Sequence, residues 1–115
     1  DHQTRVSRSL DGRCCFSVTP NSVEQDRFAP CINTLFFSAA KEFAHKCIGV
    51  ILTGMGEDGV RGMKNIKLMG GLTIAQDRNS SVVYGMPRAA LEQEAAVRIL
   101  NLEEIAREIE LSVKL

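Results

Sequence analysis

Apolar positions along this chain change period several times, and each change marks a candidate element. Ile32, Leu35, Phe36, Ala39, Ala40, Phe43 and Cys47 fall at i, i+3, i+4, i+7, i+8, i+11 and i+15. That stripe predicts an amphipathic helix from about Pro30 to Lys46, with Pro30 suited to its first turn. Ahead of it, two short segments, residues 4–10 and 13–19, flank Asp11-Gly12 and predict a β-hairpin with Phe16 and Val18 on one face. Residues 20–27 are polar and predict an exposed loop.

Past the long helix, Val50 to Leu52 is a continuous apolar run, the pattern of a strand buried on both faces. Val60, Met63 and Ile66 predict a second helix that Gly70-Gly71 ends. Residues 72–75 form the next strand, residues 77–81 a polar turn, and Gly85-Met86-Pro87 opens a short helix through Ala89, Ala90 and Leu91. Residues 97–100 form a last strand. Asn101 with Glu104 has the spacing of a capping box, and Leu100 with Ile105 that of a hydrophobic staple. Ile105, Ala106, Ile109 and Val113 are expected to line the core face of the final helix.

Strands alternating with helices predict an α/β fold. It would be a mostly parallel, doubly wound sheet between helical layers, a three-layer sandwich with the hairpin added. Three parallel strands and a hairpin are few to bury four helices. The chain therefore reads as part of a domain, or as one whose open edge needs a partner.

Composition narrows the function classes. The 115 residues suit one domain at most, with 44% hydrophobic and 24% charged residues, 14 basic and 14 acidic, and no net charge. Balanced charge and few aromatics argue against nucleic-acid binding. The apolar runs are far short of a membrane span, and no basic-then-apolar segment opens the chain. Cys14, Cys15, Cys31 and Cys47 include no C-x-x-C pair, and His2 and His45 are the two histidines. No metal site follows, and reduced thiols point to cytoplasm.

Candidate chemistry concentrates at Gly54-Met-Gly-Glu-Asp-Gly59, which spells G-x-G-x-x-G. Glu57 and Asp58 sit where a dinucleotide turn would approach pyrophosphate, and two carboxylates oppose an anion there. The loop suits presenting a carboxylate better. On spacing alone Asp58 reads first as the N-cap of the helix it precedes, a role compatible with catalysis because the same bonds orient it. Glu57 reads as a solvated neighbour. Asp77 could mimic a ribose-binding acid, but before Arg78-Asn79-Ser80-Ser81 it reads rather as a turn residue. His45 is a weak candidate base at a helix end, and His2 lies at the terminus. No G-x-S-x-G elbow occurs.

The segment from Gly49 through Gly59, G-V-I-L-T-G-M-G-E-D-G, resembles the G-V-I-L-T-G-M-G-x-D-G segment of the chemotaxis protein-glutamate methylesterases. Gly71-Leu-Thr-Ile-Ala-Gln-Asp77 and Ser81-Val-Val-Tyr-Gly-Met-Pro-Arg-Ala-Ala90 extend the resemblance, which runs from about Pro30 to Arg107. It implies an α/β serine hydrolase that demethylates, and often deamidates, chemoreceptor side chains, with a Ser-His-Asp triad and no cofactor. By position, Asp58 matches the catalytic aspartate that holds the histidine and stabilises imidazolium. Met55 matches the residue whose N–H helps the oxyanion hole. Gly54, Gly56 and Gly59 shape the loop, and Met86-Pro87 sets the nearby helix. The implied partners are methylated chemoreceptor glutamates, the N-terminal remainder of the same domain and a receiver domain.

Two departures accompany this resemblance. The family's serine, in a G-x-S-T-G-G segment, and its histidine lie upstream of the matched part and are absent from these 115 residues. The first strands of the domain are missing with them. Residues 1–115 thus read as the C-terminal portion of one methylesterase domain, inert alone, since losing nucleophile and base removes about six orders of magnitude in rate. The second departure is Pro30-Cys-Ile-Asn33, where the family has Pro-Ser-Val-Asp. Two other readings stand beside this one. One is a paralogue that docks a receptor or partner without chemistry, and the other is a nucleotide-binding half-domain. The isolated chain is expected to self-associate through its open sheet edge.

Overall fold

The computed structural model describes residues 2–20 and 31–114. Two antiparallel strands, β1 (His2–Arg8) and β2 (Cys14–Pro20), form a separate hairpin sheet. They pair from His2↔Pro20 to Arg8↔Cys14, with Val6 opposite Phe16. The Ser9 N–H donates to the Arg13 carbonyl at 2.8 Å, so Asp11-Gly12 sits inside a three-residue loop with Gly12 at φ 85°. That left-handed position is the one such a loop reserves for glycine. Pro20, expected to open the polar loop, pairs with His2 at the end of β2 instead, and residues 21–27 of that loop and Pro30 lie outside the described residues.

Helix α1 (Ile32–Phe43) forms where the stripe predicts, but it stops at Phe43. Residues Ala44–Lys46 tighten into a 3-10 turn, with Ala44 at φ 47°. The chain then alternates through β3 (Ile48–Ile51), α2 (Val60–Leu68), β4 (Leu72–Gln76), α3 (Met86–Glu92), β5 (Arg98–Leu100) and α4 (Leu102–Val113). The three strands lie parallel in the order β3-β4-β5, with Val50 beside Ile74 and Ala75 beside Ile99. The predicted α/β fold is what forms.

Both βαβ units step the same way across the sheet, so right-handed crossovers put α2 and α3 on one face. Ile51 and Ala75 turn to that face and pack with Val60, Met63, Ala90 and Ala95, joined by Phe36 of α1. Gly49 is the close approach: a Cβ there would come within 2.9 Å of Ile66 Cδ1. On β4 the alternating neighbours Thr73, Ile74 and Ala75 are all fully buried, so both faces of this central strand are covered. The second face is covered by α4, which packs on β4 and β5. Among the described residues, β3 keeps an unpaired outer edge, and Leu52 just past it is 45% exposed.

The final helix departs from expectation. Its capping box forms, Asn101 accepting the Glu104 N–H and Glu104 accepting the Asn101 N–H. Of its predicted core face only Ile105 is buried, whereas Ala106, Ile109 and Val113 are exposed. The reason is length: a twelve-residue helix follows a three-residue strand, so only its first turns have sheet beneath them. Phe16 and Val18 share a strand face as predicted, but that face too is exposed. No helix among the described residues is long and apolar enough to cross a membrane.

Candidate active site

In parallel α/β sheets, reacting groups gather past the carboxyl ends of the strands. Here two loops meet there, residues 52–59 after β3 and residues 77–85 after β4. Their junction is closely bonded. Thr53 Oγ1 accepts the Val83 N–H at 2.7 Å and donates to the Val83 carbonyl at 3.0 Å. The Gly54 N–H reaches the same carbonyl at 2.9 Å, and the Gly54 carbonyl accepts the N–H groups of Gly85 and Met86. Gly54 and Tyr84 thereby form an isolated parallel bridge. Gly85 has to be glycine, since a Cβ would stand 2.7 Å from the Gly54 carbonyl oxygen.

Met55 follows this junction, and its side chain is 83% exposed. Among the described residues its N–H has no acceptor. Gly56 and Gly59 take φ values of 84° and 92°, turning the loop sharply enough to bring Asp58 back toward α1. The glycines of G-x-G-x-x-G thus build this turn and the loop contact.

Asp58 is half-buried, and its carboxylate does not cap the helix it precedes. Gly59 is the N-cap of α2 and supplies no side-chain bond. Asp58 instead caps α1: Oδ2 accepts the Ile32 N–H at 2.9 Å, and Oδ1 accepts the Asn33 N–H at 3.4 Å and the Cys31 thiol at 3.3 Å. Free amides at a helix start, with the positive end of its dipole, hold an anion well. Gln3 of β1, 1% exposed, accepts the Cys31 N–H at 2.6 Å, so the hairpin docks on the same helix end. The favour is returned by Asn33, whose Oδ1 accepts the Gly62 N–H in the first turn of α2 at 2.8 Å.

Burial pushes the Cys31 thiol up, and the bond and charge of Asp58 push the same way. A thiol at a helix start is usually made more reactive; here burial and the Asp58 carboxylate shift it the opposite way. Asp77 builds the turn the sequence indicates, its Oδ1 accepting from Ser80 N and Oγ at 2.9 and 2.6 Å, and those bonds hold its carboxyl below the usual range. Glu57 is exposed, and its carboxylate accepts from the Gln93 side chain at 3.3 Å. His45 precedes β3, at the end of the strand opposite Asp58, so it cannot serve that carboxylate. His2 is exposed at the start of β1. Among the described residues no three His, Cys, Asp or Glu side chains could hold a metal ion.

The loop chemistry extends to one residue the pattern reading passed over. Gln76, at the end of β4, is 1% exposed and bonds both loops. The signal was available: a long amide closing a strand whose other positions are small or apolar needs buried partners.

A model of the CheB methylesterase family matches residues 1–109. A protein-glutamate methylesterase/protein-glutamine glutaminase of Moorella thermoacetica is 54% identical over 79 residues, 69% of this chain and 19% of that protein. The protein-glutamate methylesterase FrzG of Myxococcus xanthus is 55% identical over 78 residues, 68% of this chain and 23% of that one. The crystal structure of the Thermotoga maritima CheB methylesterase catalytic domain superposes with a TM-score of 0.84 at 33% identity, over 96% of this chain and 58% of that one. The chain spans about a fifth to a quarter of the length of the curated relatives it matches.

Proposed function

This chain belongs to the CheB methylesterase family, and we propose that it is the portion of a protein-glutamate methylesterase domain that carries the triad carboxylate and the oxyanion loop. The observation that carries this reading is Asp58 past the carboxyl end of β3, oriented by the start of α1, with the Met55 N–H, unbonded among the described residues, three residues earlier in the same loop.

In the proposed reaction a serine from the remainder of the domain attacks the methyl ester of a receptor glutamate. A histidine from the same remainder takes the serine proton and returns it to the leaving methoxide, releasing methanol. Water then hydrolyses the acyl-enzyme by the same route. Asp58 holds the histidine in the right tautomer and stabilises its imidazolium form. Met55 offers its N–H to the oxyanion of the tetrahedral intermediate. With glutamine as substrate the leaving group is ammonia, the glutaminase counterpart.

The substrates are methylated chemoreceptor glutamates, the partner is the N-terminal part of the same domain with a receiver domain attached, and the setting is the cytoplasm. Asn33, where the chain departs from the family pattern, has a structural task in its bond to Gly62, and that task favours neither the methylesterase nor the docking-only reading. The test joins this chain to the N-terminal part of the Thermotoga maritima domain and assays methanol release from methylated receptor. Asp58→Asn should lower kcat by about four orders of magnitude, the scale seen when a triad aspartate is lost. Full activity in that variant overturns the assignment.

A further inference from the structure

We propose that Gln76 is a positioning residue that aims the Met55 N–H through the loop it holds, with Gly85 bonded directly to the carbonyl of the Gly54–Met55 peptide. This rests on the methylesterase reading, in which that N–H meets the developing oxyanion. Gln76 Oε1 accepts the Thr53 N–H at 2.8 Å, and its Nε2 donates to the Ser80 carbonyl at 2.7 Å and to Ser80 Oγ at 3.2 Å. One buried neutral side chain therefore joins the loop after β3 to the loop after β4. The task needs an acceptor toward one loop and donors toward the other, and an amide supplies both.

The bonds continue from Thr53 to the peptide that matters. Thr53 is tied twice to Val83, and the Gly54 N–H donates to the Val83 carbonyl. The Gly54 carbonyl then accepts from Gly85 N at 3.0 Å and Met86 N at 2.9 Å. That carbonyl and the Met55 N–H belong to one planar peptide, and in the ordinary trans form they point in opposite directions. Fixing the carbonyl fixes the N–H, which is directed away from Gly85 and Met86. Two donors on the carbonyl also polarise the peptide and strengthen its N–H as a donor. Nothing in this arrangement touches substrate except Met55; Gln76 acts through the loop it holds.

The test compares Gln76→Leu and Gly85→Ala with Asp58→Asn in the joined domain. An oxyanion donor moved off its target should lower kcat by about 10- to 100-fold and leave KM within about twofold. A kcat unchanged in folded Gln76→Leu, while Asp58→Asn is inactive, overturns this proposal and keeps the methylesterase reading. An active Asp58→Asn overturns that reading instead. Amide exchange in the 115-residue chain supplies a readout that needs no catalysis. Gln76→Leu should expose the Thr53 and Gly54 amides while Met63 stays protected. Retained protection at both overturns the proposal.

Discussion

The Asp58 carboxylate accepts the Ile32 N–H at 2.9 Å, tying the loop after β3 to the start of α1 across 26 residues of sequence. On the proposed reading this carboxylate has two tasks, capping α1 and serving the triad, and they can be separated. Asp58→Ala leaves the start of α1 without its cap and should destabilise the fold by about 1–2 kcal/mol. Asp58→Asn keeps one oxygen for Ile32 and should destabilise it less. Urea unfolding of the two variants checks the order. If they are equally unstable, the cap contributes little and the carboxylate is held by something else.

The return bond from Asn33 Oδ1 to Gly62 N gives a second prediction. The oxygen is the working atom, so Asn33→Asp should change stability by less than about 0.5 kcal/mol, whereas Asn33→Ala should cost about 1 kcal/mol. Gly62 itself allows the helices to meet, since a Cβ would stand 2.5 Å from Phe36 Cβ and 3.2 Å from the Asn33 backbone. Gly62→Ala should therefore destabilise by about 1–3 kcal/mol despite alanine's better helix propensity. An unchanged melting temperature in Gly62→Ala would rule out this close packing.

How much of this was legible beforehand differs by element. The stripe from Ile32 to Phe43 and the glycine loop gave α1 and the position of Asp58, because both signals are local. The target of Asp58 was not legible: local capping rules point to the next helix, and Gly59 at φ 92° took that place. Distance in sequence hid the partner at Ile32. The apolar face of α4 was visible as a face, but periodicity does not say what lies beneath it, and β5 is too short to supply cover. Gln76 was overlooked because a pattern of apolar positions gives no weight to a buried amide.

Thiol chemistry gives a third prediction, with a definite sign. Cys31 is buried beside Asp58 and its thiol is pushed up. Its folded value exceeds the unfolded one, so its contribution to stability is intact below the ordinary thiol range. That contribution is lost as pH rises from about 8.5 toward the folded value. Cys31→Ser should flatten the alkaline fall in stability. At neutral pH, an alkylating reagent should modify exposed Cys14 and Cys15 quickly and Cys31 only on unfolding. Rapid labelling of Cys31 in the folded chain would contradict its placement.

The last prediction concerns the surfaces this chain leaves open. The outer edge of β3 is unpaired among the described residues, and Leu52 is exposed beside it. Leu111 and Val113 on α4 and Phe16 on the hairpin are 60%, 63% and 74% exposed. An unpaired parallel strand edge flanked by apolar side chains is a template for other chains, and such patches are rarely left bare in a stable monomer. The isolated chain should therefore self-associate in a concentration-dependent way in sedimentation velocity. On the proposed reading, the part of the Thermotoga maritima domain outside the matched 58% should shift it toward a 1:1 complex and protect the amides of residues 48–52 from exchange. A monodisperse monomer with a cooperative melt, unaffected by that addition, would mean that the open edge needs no partner.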